Sequence, residues 1–119
     1  MALTKKTPDT IAANLSVKAQ GVETTLVLTY HNRTPADYEK FVVNTENFKI
    51  AEDTPNGEGI MRINATIVLF IVKSFDDGTA EDFPLNLDGL LEMERHWPGM
   101  LYGIIRGYHQ ARAAAVEKN

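Results

Sequence analysis

Sixteen consecutive residues, Ile60 to Phe75, carry only two charged side chains, Arg62 and Lys73. A segment this apolar belongs inside the molecule, so the rest of the chain has to be built around it. Its own type is less sharply marked. As a helix it lines up Ile60, Ile63, Ile67, Ile71 and Phe75 on one side, with Arg62, Thr66 and Lys73 opposite. As a strand it sets Met61, Ile63, Ala65, Ile67, Leu69 and Ile71 on one face. The β-branched content argues for a strand and the unbroken length for a helix. Length decides, and the reading is a central buried helix.

Upstream, local patterns are plainer. Residues 1–13 mix Lys, Thr, Pro, Asp and Ala with little apolar period and read as a flexible arm or a short turn of helix. Leu15, Val17 and Ala19 alternate with Ser16, Lys18 and Gln20, and Gln20-Gly21 supplies a turn. From Val22 to Tyr30 a second alternation sets Leu26, Leu28 and Tyr30 on one face, which makes a β-hairpin. Thr34-Pro35 is a helix start, a capping hydroxyl followed by a residue that has no N–H to leave unpaired. Tyr38, Phe41 and Val42 continue at helical spacing to about residue 44. Residues 45–59 have loop composition, with Pro55, Asn56-Gly57 and Gly59, and Phe48 and Ile50 are expected to pin one end to the core.

Downstream, Asp76-Asp77-Gly78 ends the apolar segment. Asn86 can cap a helix whose apolar side is Leu87, Leu90, Leu91 and Met93, with Asp88 well placed against the helix dipole. Trp97-Pro98 breaks that helix, and Pro98 suits the first turn of the next. The final helix presents Leu101, Ile104, Ile105, Tyr108 and Ala111 inward. Trp97 is expected to anchor the two helices to each other. Gly99, Gly103 and Gly107, four residues apart, suggest a seam where another helix approaches closely. The fold class that results is α+β, an N-terminal antiparallel hairpin followed by a bundle of about four helices in one domain of 119 residues.

Charge narrows the partners. The net charge is −4, yet the seven acids between Lys73 and Arg95 (Asp76, Asp77, Glu81, Asp82, Asp88, Glu92, Glu94) stand without a single base among them. The rest of the chain then sets nine of the 16 acids against all 12 bases. Phosphate backbones select clustered Lys and Arg, so nucleic acid is not the expected partner. The longest apolar run, Ile67 to Val72, is far below the ~20 residues of a membrane span. Lys5 and Lys6 are not followed by an apolar signal core, and there is no cysteine, so the expected location is cytoplasmic.

Bond-making chemistry finds no support. His31, His96 and His109 fall in three different elements without the i, i+3 or i, i+4 pairing that aims two imidazoles at one metal. The acidic turn from Asp76 superficially resembles a calcium loop, but Gly78 comes too early and the twelfth position is Leu87. Thr24, Thr25 and Ser74 lack an adjacent histidine or a nucleophile elbow. The glycines spell no phosphate fingerprint. The expectation is no catalysis, no metal and no cofactor. What remains is surface. Tyr102, Arg106 and His109 share the outward row of the last helix, Asp88 and Glu92 face out from the helix before it, and Tyr and Arg are the residues enriched at binding hot spots.

The order of these features resembles the small tail assembly chaperones of long-tailed bacteriophages and prophages. The likeness spans residues 60–119: apolar helix, Phe75-Asp76-Asp77-Gly78 turn, Pro84-Leu85-Asn86 joint, Leu90-Leu91, aromatic-Pro-Gly break, Ile-rich helix, Tyr108 and Ala111, and terminal Lys118-Asn119. The ordered set carries it, and no single motif does. Phe75 stands where the family pattern has Trp, and Asn86 where Thr or Ser is common. The resemblance implies a non-enzymatic cytoplasmic factor that binds the tape measure protein and tail-tube subunits before the tube polymerises, and is absent from the finished particle. In that family a ribosomal frameshift often extends a fraction of the product. Self-association stays open. The alternative is a small cytoplasmic adaptor or regulatory protein-binding domain unrelated to phage tails, using the same helical face. A third class, an enzyme with a site in the 45–59 loop, lacks a converging acid, base and nucleophile.

Overall fold

The computed structural model describes residues 7–46 and 58–117. The elements are β1 (Thr10–Ala19), β2 (Val22–His31), α1 (Pro35–Glu46), α2 (Gly59–Ile71), β3 (Val72–Asp76), α3 (Leu87–His96) and α4 (Met100–Glu117). The architecture is α+β, a three-stranded antiparallel sheet in the order β1-β2-β3 with four helices among the described residues.

The hairpin forms as its alternation predicts. Gln20 and Gly21 both have positive φ, 52° and 76°, the pair of left-handed residues that a two-residue turn with native twist requires. Gln20 is not a glycine, and its side chain is tied down, since its Nε2 donates to the His96 carbonyl at 2.7 Å. Ten residue pairs run without a register break from Ala19↔Val22 to Thr10↔His31. Strand β1 therefore starts at Thr10, inside the stretch read as an arm. Alternation was present there in Ile11 and Ala13, but Ala12 on the outer face hid it.

The apolar segment 60–75 is not one helix. Helix α2 ends at Ile71, and Val72 turns directly into extended backbone, φ −99° and ψ 126°, with no loop between. β3 then pairs with the second edge of β2, Leu28 with Phe75 and Thr29 with Ser74, with a register irregularity beside Tyr30. The open ladder of β2 supplies partners for Val72 to Asp76 that a further helical turn would leave unused, and the β-branched and aromatic residues there suit the sheet. The helical stripe is also turned from the one expected. Ala65, Ile67, Val68 and Ile71 are buried, while Ile60 is 66% exposed.

The core lies between the sheet and the helices. Leu26, Leu28 and Tyr30 of β2 meet α2, then Leu90, Leu91 and Met93 of α3, and Met100, Leu101, Ile104 and Tyr108 of α4. Tyr30 and Tyr108 carry phenols into this interior, and both are satisfied. Tyr30 donates to the Ile104 carbonyl at 2.8 Å, and Tyr108 accepts from the Arg33 N–H at 3.1 Å. α1 starts as its cap signal says, with the Thr34 hydroxyl accepting from the Asp37 N–H at 3.1 Å. It docks by stacking Phe41 on Phe70, centroids 4.0 Å apart, and the Arg33 guanidinium sits 4.3 Å from the same Phe70 ring centre. The segment with Phe48 and Ile50 lies outside the described residues, as do the terminal Lys118 and Asn119.

The row of glycines in the last helix is not a helix–helix seam. A β-carbon on Gly107 would sit 2.6 Å from a Leu15 methyl and 2.9 Å from the Tyr30 hydroxyl, so this glycine lets α4 press on the hairpin. Gly103 has nothing within 4 Å, and Gly99 precedes the helix with φ +93°. Three glycines at one spacing hold three different places. The tightest approach falls at Gly89 instead, where a β-carbon would overlap the Pro84 carbonyl.

Candidate protein-binding surface

The joint between α3 and α4 fixes how the candidate residues are presented. Asn86 caps α3, its side-chain oxygen accepting from the Gly89 N–H at 2.7 Å. At the other end Trp97 stops α3 and is half-buried against the core. Pro98 does not open the next helix, which begins two residues later at Met100. Glu94 does the capping there, accepting from the N–H of Gly99 at 2.6 Å and of Leu101 at 3.0 Å. A carboxylate on these N–H groups, which have no partner within the helix, suits both the hydrogen-bonding deficit and the dipole of a helix start.

On α4 the outward ridge carries Tyr102, Arg106 and His109, all exposed, with Tyr102 at 63%. Gly103 beside them leaves bare backbone. Tyr102 and Arg106 stand clear of the core. His109 is differently placed, with its Nε2 3.2 Å from the Tyr38 hydroxyl and its ring edge-on to both Tyr38 and Tyr108. Desolvation by these neighbours and then the Arg112 charge hold its pKa below the ordinary histidine value, which keeps the imidazole neutral near pH 7. It joins α4 to α1 as well as facing solvent.

On α3, Asp88 is exposed in the first turn, whereas Glu92 is committed to neighbours. Its carboxylate takes a hydrogen bond from Arg95 at 2.7 Å and lies 3.4 Å from His96. The Arg95 bond holds Glu92 below the usual carboxylate range. Arg95 also reaches Glu58 at 2.9 Å, linking α3 to the start of α2. No hydrogen bond or ion pair among the described residues joins Asp88 or Glu92 to Tyr102, Arg106 or His109.

The acidic stretch is itself divided. Asp76 accepts from the hydroxyls of Thr29 at 2.7 Å and Ser74 at 2.8 Å, which depress its pKa. Glu94 caps a helix and Glu92, though exposed, pairs with Arg95, so the exposed acids of this stretch with no side-chain partner among the described residues are Asp77, Glu81, Asp82 and Asp88. Between β3 and the 80–85 segment lies a shallow cavity of about 340 Å³ floored by Phe75, Ala80, Phe83, Pro84 and Leu85. Sequence reading missed it because its two walls meet only once β3 is in the sheet, although Phe83-Pro84-Leu85 already stood out as an apolar joint.

Among the described residues no three His, Asp or Glu side chains converge so as to hold a metal ion, and no helix is long and apolar enough to cross a membrane. Compared with known proteins, the chain matches no family model, no curated protein and no solved structure.

Proposed function

We propose that this protein is a non-catalytic chaperone of phage tail assembly, working in the host cytoplasm. It covers exposed apolar surface on a tape measure protein and on tail-tube subunits before the tube polymerises. One observation carries the reading: α4, whose start is capped by Glu94 of α3, holds an aromatic ring and a guanidinium, Tyr102 and Arg106, outward on one ridge. Residues of these two types are enriched at binding hot spots, and a helix already formed and capped has no backbone left to order on docking. The ordered likeness of residues 60–119 to the tail assembly chaperones supplies the partner class. Such partners need cover, because a long helical tape measure and an unpolymerised tube subunit both expose surfaces that aggregate.

The test is co-purification of the chain with tape measure fragments and with tube protein. Capture of both by the wild type, and loss of about tenfold or more in affinity for Tyr102→Ala/Arg106→Ala with an unchanged circular dichroism spectrum, is the expected result. Undiminished binding by the folded double variant removes the ridge from the reading. Failure of the wild type to bind either partner removes the function.

A further inference from the structure

We infer that β1 pairs with β1 of a second copy, antiparallel across a twofold axis at Asn14, to make one six-stranded sheet from two three-stranded ones. Strand β1 is the outer strand of the sheet and is ten residues long. Protected edges carry prolines, bulges or several charges. β1 has no proline, pairs with β2 without a register shift, and holds one charged residue, Lys18, near its end.

The hairpin fixes which backbone groups face out. A two-residue turn makes Ala19 and Val22 a hydrogen-bonded pair, and pairs then alternate along an antiparallel ladder. The Asn32 N–H donating to the Asp9 carbonyl at 2.9 Å confirms the phase at the far end. The odd-numbered residues of β1 therefore bond to β2. Thr10, Ala12, Asn14, Ser16 and Lys18 direct their N–H and C=O away from the molecule. Among the described residues none of these groups has a backbone partner, along the full length of the strand.

The side chains add a second, independent sign. Leu26, Leu28 and Tyr30 on β2 are at most 4% exposed, but their β1 neighbours Ile11, Ala13, Leu15 and Val17 on the same face are only half-buried. The apolar layer stops short at this rim. A second copy docked edge to edge continues it, with Ile11 opposite Val17 and Ala13 opposite Leu15 of the other chain.

Charge then selects the register. Centred on Asn14, all five outward residues find partners: Asn14 with Asn14, Ala12 with Ser16, Thr10 with Lys18. Each Lys18 faces the neutral Thr10 of the second copy with Asp9 one residue further on, and the two Lys18 side chains lie at opposite ends. Moving the axis towards Lys18 brings the two ammonium groups together and leaves outward groups unpaired. Like charges placed opposite each other weaken a strand pair.

Sedimentation velocity over a concentration series, with hydrogen exchange on the same samples, tests the proposal. The wild type is expected to reach twice the 13.3 kDa chain mass. In that dimer the amides of Ala12, Asn14 and Ser16 exchange slowly, as those of Leu15 and Val17 do within each chain. Asn14→Lys sets two like charges opposite each other at an exposed position. It is expected to weaken association by about tenfold or more. It should release the Ala12 and Ser16 amides while leaving Leu15 and Val17 protected. Asn14→Pro removes one outward N–H without touching the intrachain ladder and should act in the same direction. A wild type that stays monomeric at every concentration overturns the proposal, as does a dimer unaffected by Asn14→Lys or one in which the Ala12, Asn14 and Ser16 amides exchange freely.

Discussion

Glu94 caps a helix it does not belong to: its carboxylate, from the last turns of α3, receives the Leu101 N–H at 3.0 Å and the Gly99 N–H at 2.6 Å at the head of α4. The angle between the two helices is therefore fixed by a side chain as well as by the Trp97-Pro98 break. Glu94→Ala is expected to cost about 1–2 kcal/mol, the range of a lost helix cap. Urea denaturation should show the midpoint fall with an unchanged slope. A loss within about 0.3 kcal/mol would mean that water serves those donors equally well.

Gly103 and Gly107 sit one helical turn apart and should respond in opposite directions. Gly107→Ala drives a methyl into Leu15 and the Tyr30 hydroxyl and is expected to destabilise by about 1–3 kcal/mol. Gly103→Ala meets open space and should stabilise by up to about 1 kcal/mol through helix propensity. Thermal unfolding of the two variants side by side decides the matter. Equal effects would show that α4 is not pressed on the hairpin at Gly107.

Tyr30 should be sensitive to loss of one oxygen. Its phenol is fully buried, burial raises its pKa above the ordinary tyrosine value, and it donates to the Ile104 carbonyl at 2.8 Å. Tyr30→Phe keeps the ring packing against Tyr108 and removes the hydrogen bond, so a loss of about 1 kcal/mol is expected from chemical denaturation. Because the phenol stays neutral in the fold, no change in the pH dependence near neutrality should accompany it.

Asp76 gives the acid limb of the stability profile a definite sign. The Thr29 and Ser74 hydroxyls lower its folded pKa below the ordinary 3.8. Its contribution is then fully present above the unfolded value and is lost as pH falls from there through the folded value. Asp76→Asn should flatten that part of the curve below about pH 4. Stability measured between pH 2 and 6 for wild type and variant checks it. Identical acid limbs would assign the loss to other carboxylates.

Local chemistry made about half of this molecule readable. The hairpin, the Thr34 and Asn86 caps and the outward row of α4 are each decided within a few residues, by alternation, by a capping oxygen or by the 3.6-residue period. What escaped was decided at a distance. Val72 to Asp76 became a strand because β2, more than forty positions earlier, offered an empty edge. Gly107 is needed because of Leu15, and Glu94 reads as an ordinary surface acid until α4 folds back on it. The candidate surface divides in the same way. Tyr102 and Arg106 are exposed as the period says, whereas the Tyr38 contact of His109 depends on α1, and Glu92 is drawn off by Arg95.

The placement of β3 beside β2 also sets a timetable. A ribosome completes the hairpin once His31 has emerged, but the strand that closes the inner flank of the sheet starts at Val72. For roughly forty further residues of elongation, two or more seconds at ordinary speeds, β2 waits with its second ladder bare. The nascent chain thus passes through an interval in which the strand destined for the middle of the sheet has one edge open, and only the arrival of α2 and the five residues welded to its end brings that interval to a close.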